Sequence, residues 1–156
     1  MDEIFMQRAL SQAKIGFDKE EVPVGAVLVL DSTILAEAHN EIELRQDASA
    51  HAELLCLQRG AEKLGNWRLE EATLYCTLEP CTMCAGAFFL YRIKKVVWGA
   101  PDLRHGAHGS WIDVREKRHP IHNLEVKSGV LQEECAALMR GFFKKKREKS
   151  PCLCGK

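Results

Sequence analysis

The sequence predicts an α/β protein in which a mostly buried, five-stranded mixed sheet lies between helices. Three observations predict it. Val22 to Leu30 is a nearly continuous apolar run, rich in Val and Leu, as expected of a strand covered on both faces. Strand-like runs and helix-like periodicity alternate through most of the chain. The connection from a strand at Lys95–Gly99 to one at Leu124–Lys127 is long enough for a parallel crossover, where a hairpin would need only a tight turn.

Each element has its own signal. From Asp2 to Phe17, Phe5, Ala9, Ala13 and Phe17 recur every four residues with Met6 and Leu10 beside them, which predicts an amphipathic helix. Asp31-Ser32 is a turn, and Thr33 to His39 returns as the second strand of a hairpin. Asn40 to Ser49 is a polar loop that offers Asp47 or Ser49 as N-cap for a helix over Ala50–Leu64. Gly65-Asn66 ends that helix. Ala72 to Thr77 is a third strand feeding Pro80, and a further helix runs to Tyr91. After the fourth strand comes a Gly-rich loop, Pro101–Ser110, then a candidate helix at Trp111–Lys117. The fifth strand precedes a closing helix from Leu131 to about Arg147. Residues 1–149 are expected to form one domain, and 150–156 a disordered tail.

The 156 residues suit one domain with a core, and 46% hydrophobic residues with zero formal net charge describe an ordinary globule. Neutrality argues against a wholesale basic coat for nucleic acid and leaves room for a local patch. Met1–Glu20 carries charges throughout and lacks an apolar h-region, and no apolar run is long enough for a bilayer. Seven cysteines, an odd number without a disulfide rhythm, fit a reducing cytoplasm.

Chemistry concentrates at Cys81-Thr82-Met83-Cys84, preceded by Pro80. Two cysteines three apart share one face of a helical turn, and Pro suits the first turn of a helix. The positive end of the helix dipole favours thiolate, the form that binds metal. A C-x-x-C pair alone fits either zinc or a redox dithiol. His51-Ala52-Glu53 decides it by adding an imidazole and a carboxylate. Three protein ligands (His51, Cys81, Cys84) with an open fourth position make a catalytic zinc site, leaving Glu53 free to move protons. In mid-helix, residues two apart diverge by roughly 200°, so His51 and Glu53 belong in a first turn, whose side chains lean over the open end. Two helix N-termini are therefore expected to face one ion. A closed structural site would need a fourth ligand from Cys56, Cys76, Cys135 or the histidines, and would give Glu53 no purpose. Cys56 and Cys76 fit small core positions. His119 and His122 fit a surface loop, and Cys152-Leu153-Cys154 a frayed tail.

The pattern H-x-E…P-C-x-x-C resembles that of the zinc deaminases of bases and nucleosides, the cytidine/deoxycytidylate deaminase superfamily. Several segments resemble more closely the bacterial tRNA-specific adenosine deaminases. They are Glu21–Val27, Thr77–Cys81, Arg92-Ile93 through Val96-Val97, Asp102 with Gly106-Ala107 and Gly109-Ser110, and Glu134–Leu138 with Phe142-Phe143. This resemblance covers about Phe5 to Arg147. It implies a three-layer cytidine-deaminase-like fold, a homodimer, one Zn²⁺ per subunit, and conversion of the wobble adenosine of a tRNA anticodon loop to inosine. It also implies nucleotide contacts by Asn40, Asp102 and Arg104, the last a lysine in much of the family. The loop Glu41–Arg45 departs from the family's Pro- and Arg-containing sequence.

The basic run Lys144–Arg147 after Phe142-Phe143 is a solvated helix end on its own terms. Beside a deaminase site, Lys144 and Arg147 become a grip on anticodon-loop phosphates, with Phe143 offered for stacking. Two rival functions share the zinc motif. One is a free-base deaminase for guanine or cytosine, and the other a non-catalytic, zinc-stabilised RNA-binding module.

Overall fold

In a computed structural model that describes residues 1–150, ten elements follow one another. They are α1 (Asp2–Asp18), β1 (Gly25–Leu30), β2 (Thr33–His39), α2 (Ile42–Arg45), α3 (Ala52–Leu64), β3 (Thr73–Leu78), α4 (Thr82–Leu90), β4 (Lys95–Ala100), β5 (Glu125–Ser128) and α5 (Gln132–Lys149). The strands pair in the order β2-β1-β3-β4-β5. β1 runs antiparallel to β2 and β3, whereas β3, β4 and β5 are mutually parallel along the sheet. The long connection after β4 is thus the expected parallel crossover.

Strand side chains alternate between two cores, because successive residues point to opposite faces. Val27, Val29, Tyr75 and Val97 pack with Phe5, Met6, Ala9 and Leu10 of α1 and Cys135 of α5. Ala26, Leu28, Leu74, Cys76, Val96 and Trp98 pack with Leu55, Cys56 and Leu57 of α3 and Phe88 of α4. The result is three layers, with the sheet in the middle. α1 crosses β1 so closely that a Cβ on Gly25 would lie 2.6 Å from the Ala13 amide nitrogen. β5 is the exception to a buried sheet: Glu125, Lys127 and Ser128 are exposed along this edge strand.

Three expectations are corrected. The polar loop after β2 contains a one-turn helix, α2, over part of the Glu41–Arg45 segment. No helix forms at Trp111–Lys117; this stretch is a series of turns tied by a bridge between His108 and Asp113. Neither Asp47 nor Ser49 caps α3, because Asp47 instead accepts the Ser49 amide and hydroxyl. α5 runs two residues past Arg147, to Lys149. The expected tail, with Cys152 and Cys154, falls on residues 151–156, outside the described residues.

Candidate functional site

Two helix N-termini converge beside the C-terminal ends of β2 and β3, next to the start of the antiparallel β1, as the first-turn argument requires. His51 is the N-cap of α3 and Cys81 the N-cap of α4, both with extended backbone. Pro80 brings the chain off β3 into α4, and Cys84 follows one turn later. Glu53 lies in the first turn of α3 and is buried at 3% exposure. The start of α3 is capped from a distance: Asn40, at the end of β2, accepts the Ala52 N–H on Oδ1 at 2.8 Å. A second remote acceptor, the Glu21 carboxylate, takes the Glu43 N–H at 2.7 Å and so receives the N-terminus of α2. Glu41 pairs with Arg45 and Arg59 and ties α2 to α3.

The donor atoms of His51, Cys81 and Cys84 lie within 4.8 Å of one another. His51 Nδ1 is 3.6 Å from each sulfur. Zinc–sulfur and zinc–nitrogen bonds of about 2.3 and 2.0 Å at a tetrahedral angle put N and S about 3.5 Å apart, so the donor set is already spaced for that ion. The charges agree. A hydrogen bond from Cys84 pulls the Cys81 thiol down to about 4, with burial opposing and His51 assisting. The same contact, with burial, pushes Cys84 well above its ordinary range. One thiolate is therefore held readily, and a second needs a cation beside it. Contact with Cys81 raises the His51 pKa against the effect of burial. Burial lifts Glu53 to about 7, with His51 pulling it the other way. The cluster is compatible with zinc.

Above the cluster opens a cavity of about 1220 Å³. It gathers Asn40, His51, Glu53, Cys81, Asp102, Arg104, Phe143, Lys144 and Arg147, leaving Cys84 buried beneath. The candidate residues singled out in the sequence thus come from separated segments to one place. α5 reaches the rim with Phe143, Lys144 and Arg147, and also contributes Met139 and Arg140. Cys56, Cys76 and Cys135 are buried apart from the donor triangle. His119 stacks on Phe89 at 4.6 Å between ring centroids, and His122 hydrogen-bonds the Ile93 carbonyl through Nε2. Both belong to a pinned surface loop.

Sequence reasoning passed over three residues here. Glu21 and Glu79 are fully buried carboxylates serving backbone amides, and their only local signal is an acid set beside apolar strand residues. His105 lines the cavity from an exposed position beside Asp102. Nothing in its spacing marks it.

The MafB19-like deaminase family matches residues 1–147. A tRNA-specific adenosine deaminase of Bacillus subtilis (strain 168) is 48% identical over 95% of this chain and 92% of its own. One from Haemophilus influenzae is 47% identical over 94% of this chain and 86% of its own. A solved structure from work on A-to-I editing by tRNA:A34 deaminases superposes with a TM-score of 0.80 at 41% identity, covering 86% of this chain and 97% of that one. A guanine deaminase from Nitrosomonas europaea shares the fold at a TM-score of 0.75 and 21% identity, covering 90% of this chain and 83% of its own. With the cytidine-deaminase-like sheet, the spacing of the donor triangle and these relatives in agreement, the chain belongs to the MafB19-like deaminase family and, within it, to the tRNA-specific adenosine deaminases.

Proposed function

We propose that the protein hydrolyses the wobble adenosine of a tRNA anticodon loop to inosine, releasing ammonia, with one zinc ion per subunit. The reading rests above all on three donors spaced for an ion that keeps an open position, with the buried Glu53 beside it in a cavity walled by basic and aromatic groups. When bound at His51, Cys81 and Cys84, zinc supplies a water whose pKa is lowered from about 15.7 toward 7. Glu53 takes a proton from the attacking water and delivers it to ring N1. It then takes the second proton from the oxygen now bonded to C6 and passes it to the C6 amine, which leaves as ammonia. A shuttle of this kind contributes about 10²–10⁴-fold in rate. Asn40, Asp102 and Arg104 hold the target and its neighbours, while Phe143, Lys144 and Arg147 meet the rest of the loop. A base turned out of the loop fits an enclosed site better than free adenosine, which lacks the flanking nucleotides.

The deaminase domain spans residues 1–149 and works as a homodimer in the cytoplasm. α4 supports the dimer, since its sequence is apolar on nearly every side and it leaves Leu90 exposed. No helix among the described residues is long and apolar enough to cross a membrane.

Ammonia release from an adenosine-bearing anticodon stem-loop, measured beside free guanine, cytosine and adenosine, tests the reading. Turnover of RNA alone is expected. Turnover of a free base would make it a base deaminase, and binding without turnover a non-catalytic RNA module. Glu53→Gln should keep the zinc and lose turnover by about 10²-fold or more, whereas Cys84→Ala should lose the zinc as well.

A further inference from the structure

Glu79 stands immediately before the cysteine motif, and its side chain is 1% exposed. Oε1 accepts the His108 N–H at 3.0 Å and the Ser110 N–H at 3.1 Å. Oε2 accepts the Asp102 N–H at 3.0 Å and the Ser110 hydroxyl. All four bonds go to the Asp102–Ser110 loop, and bonds to a charged acceptor are the stronger kind. The backbone of the same segment continues the attachment, with the Ala107 N–H donating to the Pro80 carbonyl at 2.9 Å and Cys81 bridging Gly106. Gly106 lies so close that an added Cβ would strike the Glu79 carboxyl and the Asp102 carbonyl. Between the anchor points the loop is otherwise open to solvent: Leu103 is 79% exposed, and Arg104 and His105 are exposed with it.

We propose that Glu79 is a positioning residue: its buried carboxylate fixes the Asp102–Ser110 loop over the cavity and thereby sets affinity for the RNA substrate. The inference rests on the deaminase reading above. Labour is divided within one short segment. Cys81 serves the metal cluster, while two residues earlier Glu79 serves the loop that presents Asp102 and Arg104. Asp102 is itself pre-shaped by this arrangement, because its Oδ1 accepts the Arg104 N–H at 3.0 Å and the His105 N–H at 3.3 Å. His51, Glu53 and Cys84 stand on α3 and α4 and receive none of the four bonds. Loss of the clamp should therefore be felt in binding before chemistry.

Glu79→Gln tests this. The amide keeps the shape, but it turns one acceptor into a donor that faces donors. KM for the stem-loop should rise about tenfold or more with kcat within about threefold, at unchanged zinc content. Ser110→Ala, which removes one of the four bonds, should raise KM by about threefold and serves if Glu79→Gln does not fold. A substrate-free readout is trypsin cleavage after Arg104, which should accelerate by about fivefold or more in Glu79→Gln as the loop opens. Loss of zinc, or a fall in kcat at constant KM, would overturn the proposal by placing Glu79 in the metal site's support. Unchanged kinetics with unchanged cleavage would overturn it equally. If the wild-type protein turned over no RNA, the deaminase reading would fail, while the cleavage arm would still decide whether Glu79 holds the loop.

Discussion

Asn40 caps α3 and is proposed to contact the target nucleotide, two duties that one pair of substitutions separates. Its Oδ1 accepts the Ala52 N–H at 2.8 Å, and the residue is 6% exposed at the cavity wall. Asn40→Ala removes that acceptor and leaves a buried amide at the start of the helix that carries Glu53. Losing a cap costs about 1 kcal/mol, and orphaning a buried donor about 1–3. A loss of about 1–2 kcal/mol is therefore expected, or a Tm lower by roughly 2–8 °C for a chain of this size. Asn40→Asp keeps an acceptor and adds negative charge at the positive end of α3, so its stability should stay within about 0.5 kcal/mol of the parent. It loses the amide donor, however, and with it the interaction proposed for the target nucleotide. Urea unfolding of both variants, with KM for the stem-loop, reads the two duties independently. The capping argument fails if Asn40→Asp is as unstable as Asn40→Ala, or if Asn40→Ala costs nothing. The substrate role fails if Asn40→Asp binds and turns over RNA like the parent.

Three further outcomes follow from named groups. Lys144→Gln with Arg147→Gln should weaken stem-loop binding and lower the slope of log K against log salt by roughly one for each phosphate left without its cation; an unchanged slope makes the rim of α5 ordinary surface. Glu41 is pushed up by burial but held below the ordinary glutamate range by Arg45 and Arg59. Its contribution to stability is thus present above the unfolded glutamate pKa and is lost as pH falls through the depressed folded value; Glu41→Gln should flatten acid unfolding across that window, and an unaltered acid limb would remove Glu41 from the account. Gly25→Ala would drive a Cβ into the α1 backbone at Ala9 and Ala13, so α1 must lift from the sheet, and a Tm close to the parent's would show that the crossing can adjust.

The same residues mark where local pattern stops being informative. The four-residue recurrence of Phe5, Ala9 and Ala13 specifies a buried face, and those side chains are indeed buried, with Phe5 and Ala9 packed against β1 and β3. The long connection after β4 permits a parallel crossover, where a tight turn would have required a hairpin, and β4 and β5 do pair in parallel. His51, Cys81 and Cys84 were legible as a donor set because ligand chemistry and helix-end geometry restrict which residue types at which spacing can share an ion. α2 and the Trp111–Lys117 turns were not legible, for a common reason. Neither segment has a periodic apolar face, and each takes its shape from partners outside it: Glu21 at the N-terminus of α2, and, for the turns, the Gly106 and Ala107 carbonyls that accept the Trp111, Ile112 and Val114 N–H groups. The cap of α3 escaped likewise, since Asp47 and Ser49 are nearer in sequence but bond each other, and Asn40 arrives along β2.

Sequence alone therefore determined which side chains form the metal-donor set and that a sheet lies between helices, because periodicity, ligand type and connection length are properties of short stretches. Only the tertiary structure decided which carboxylate holds which loop, which amide caps α3, and that α5 closes the cavity opened by α3 and α4. Those are pairings between remote residues, where burial forces each polar group to find a partner, and no local spacing says which one it finds.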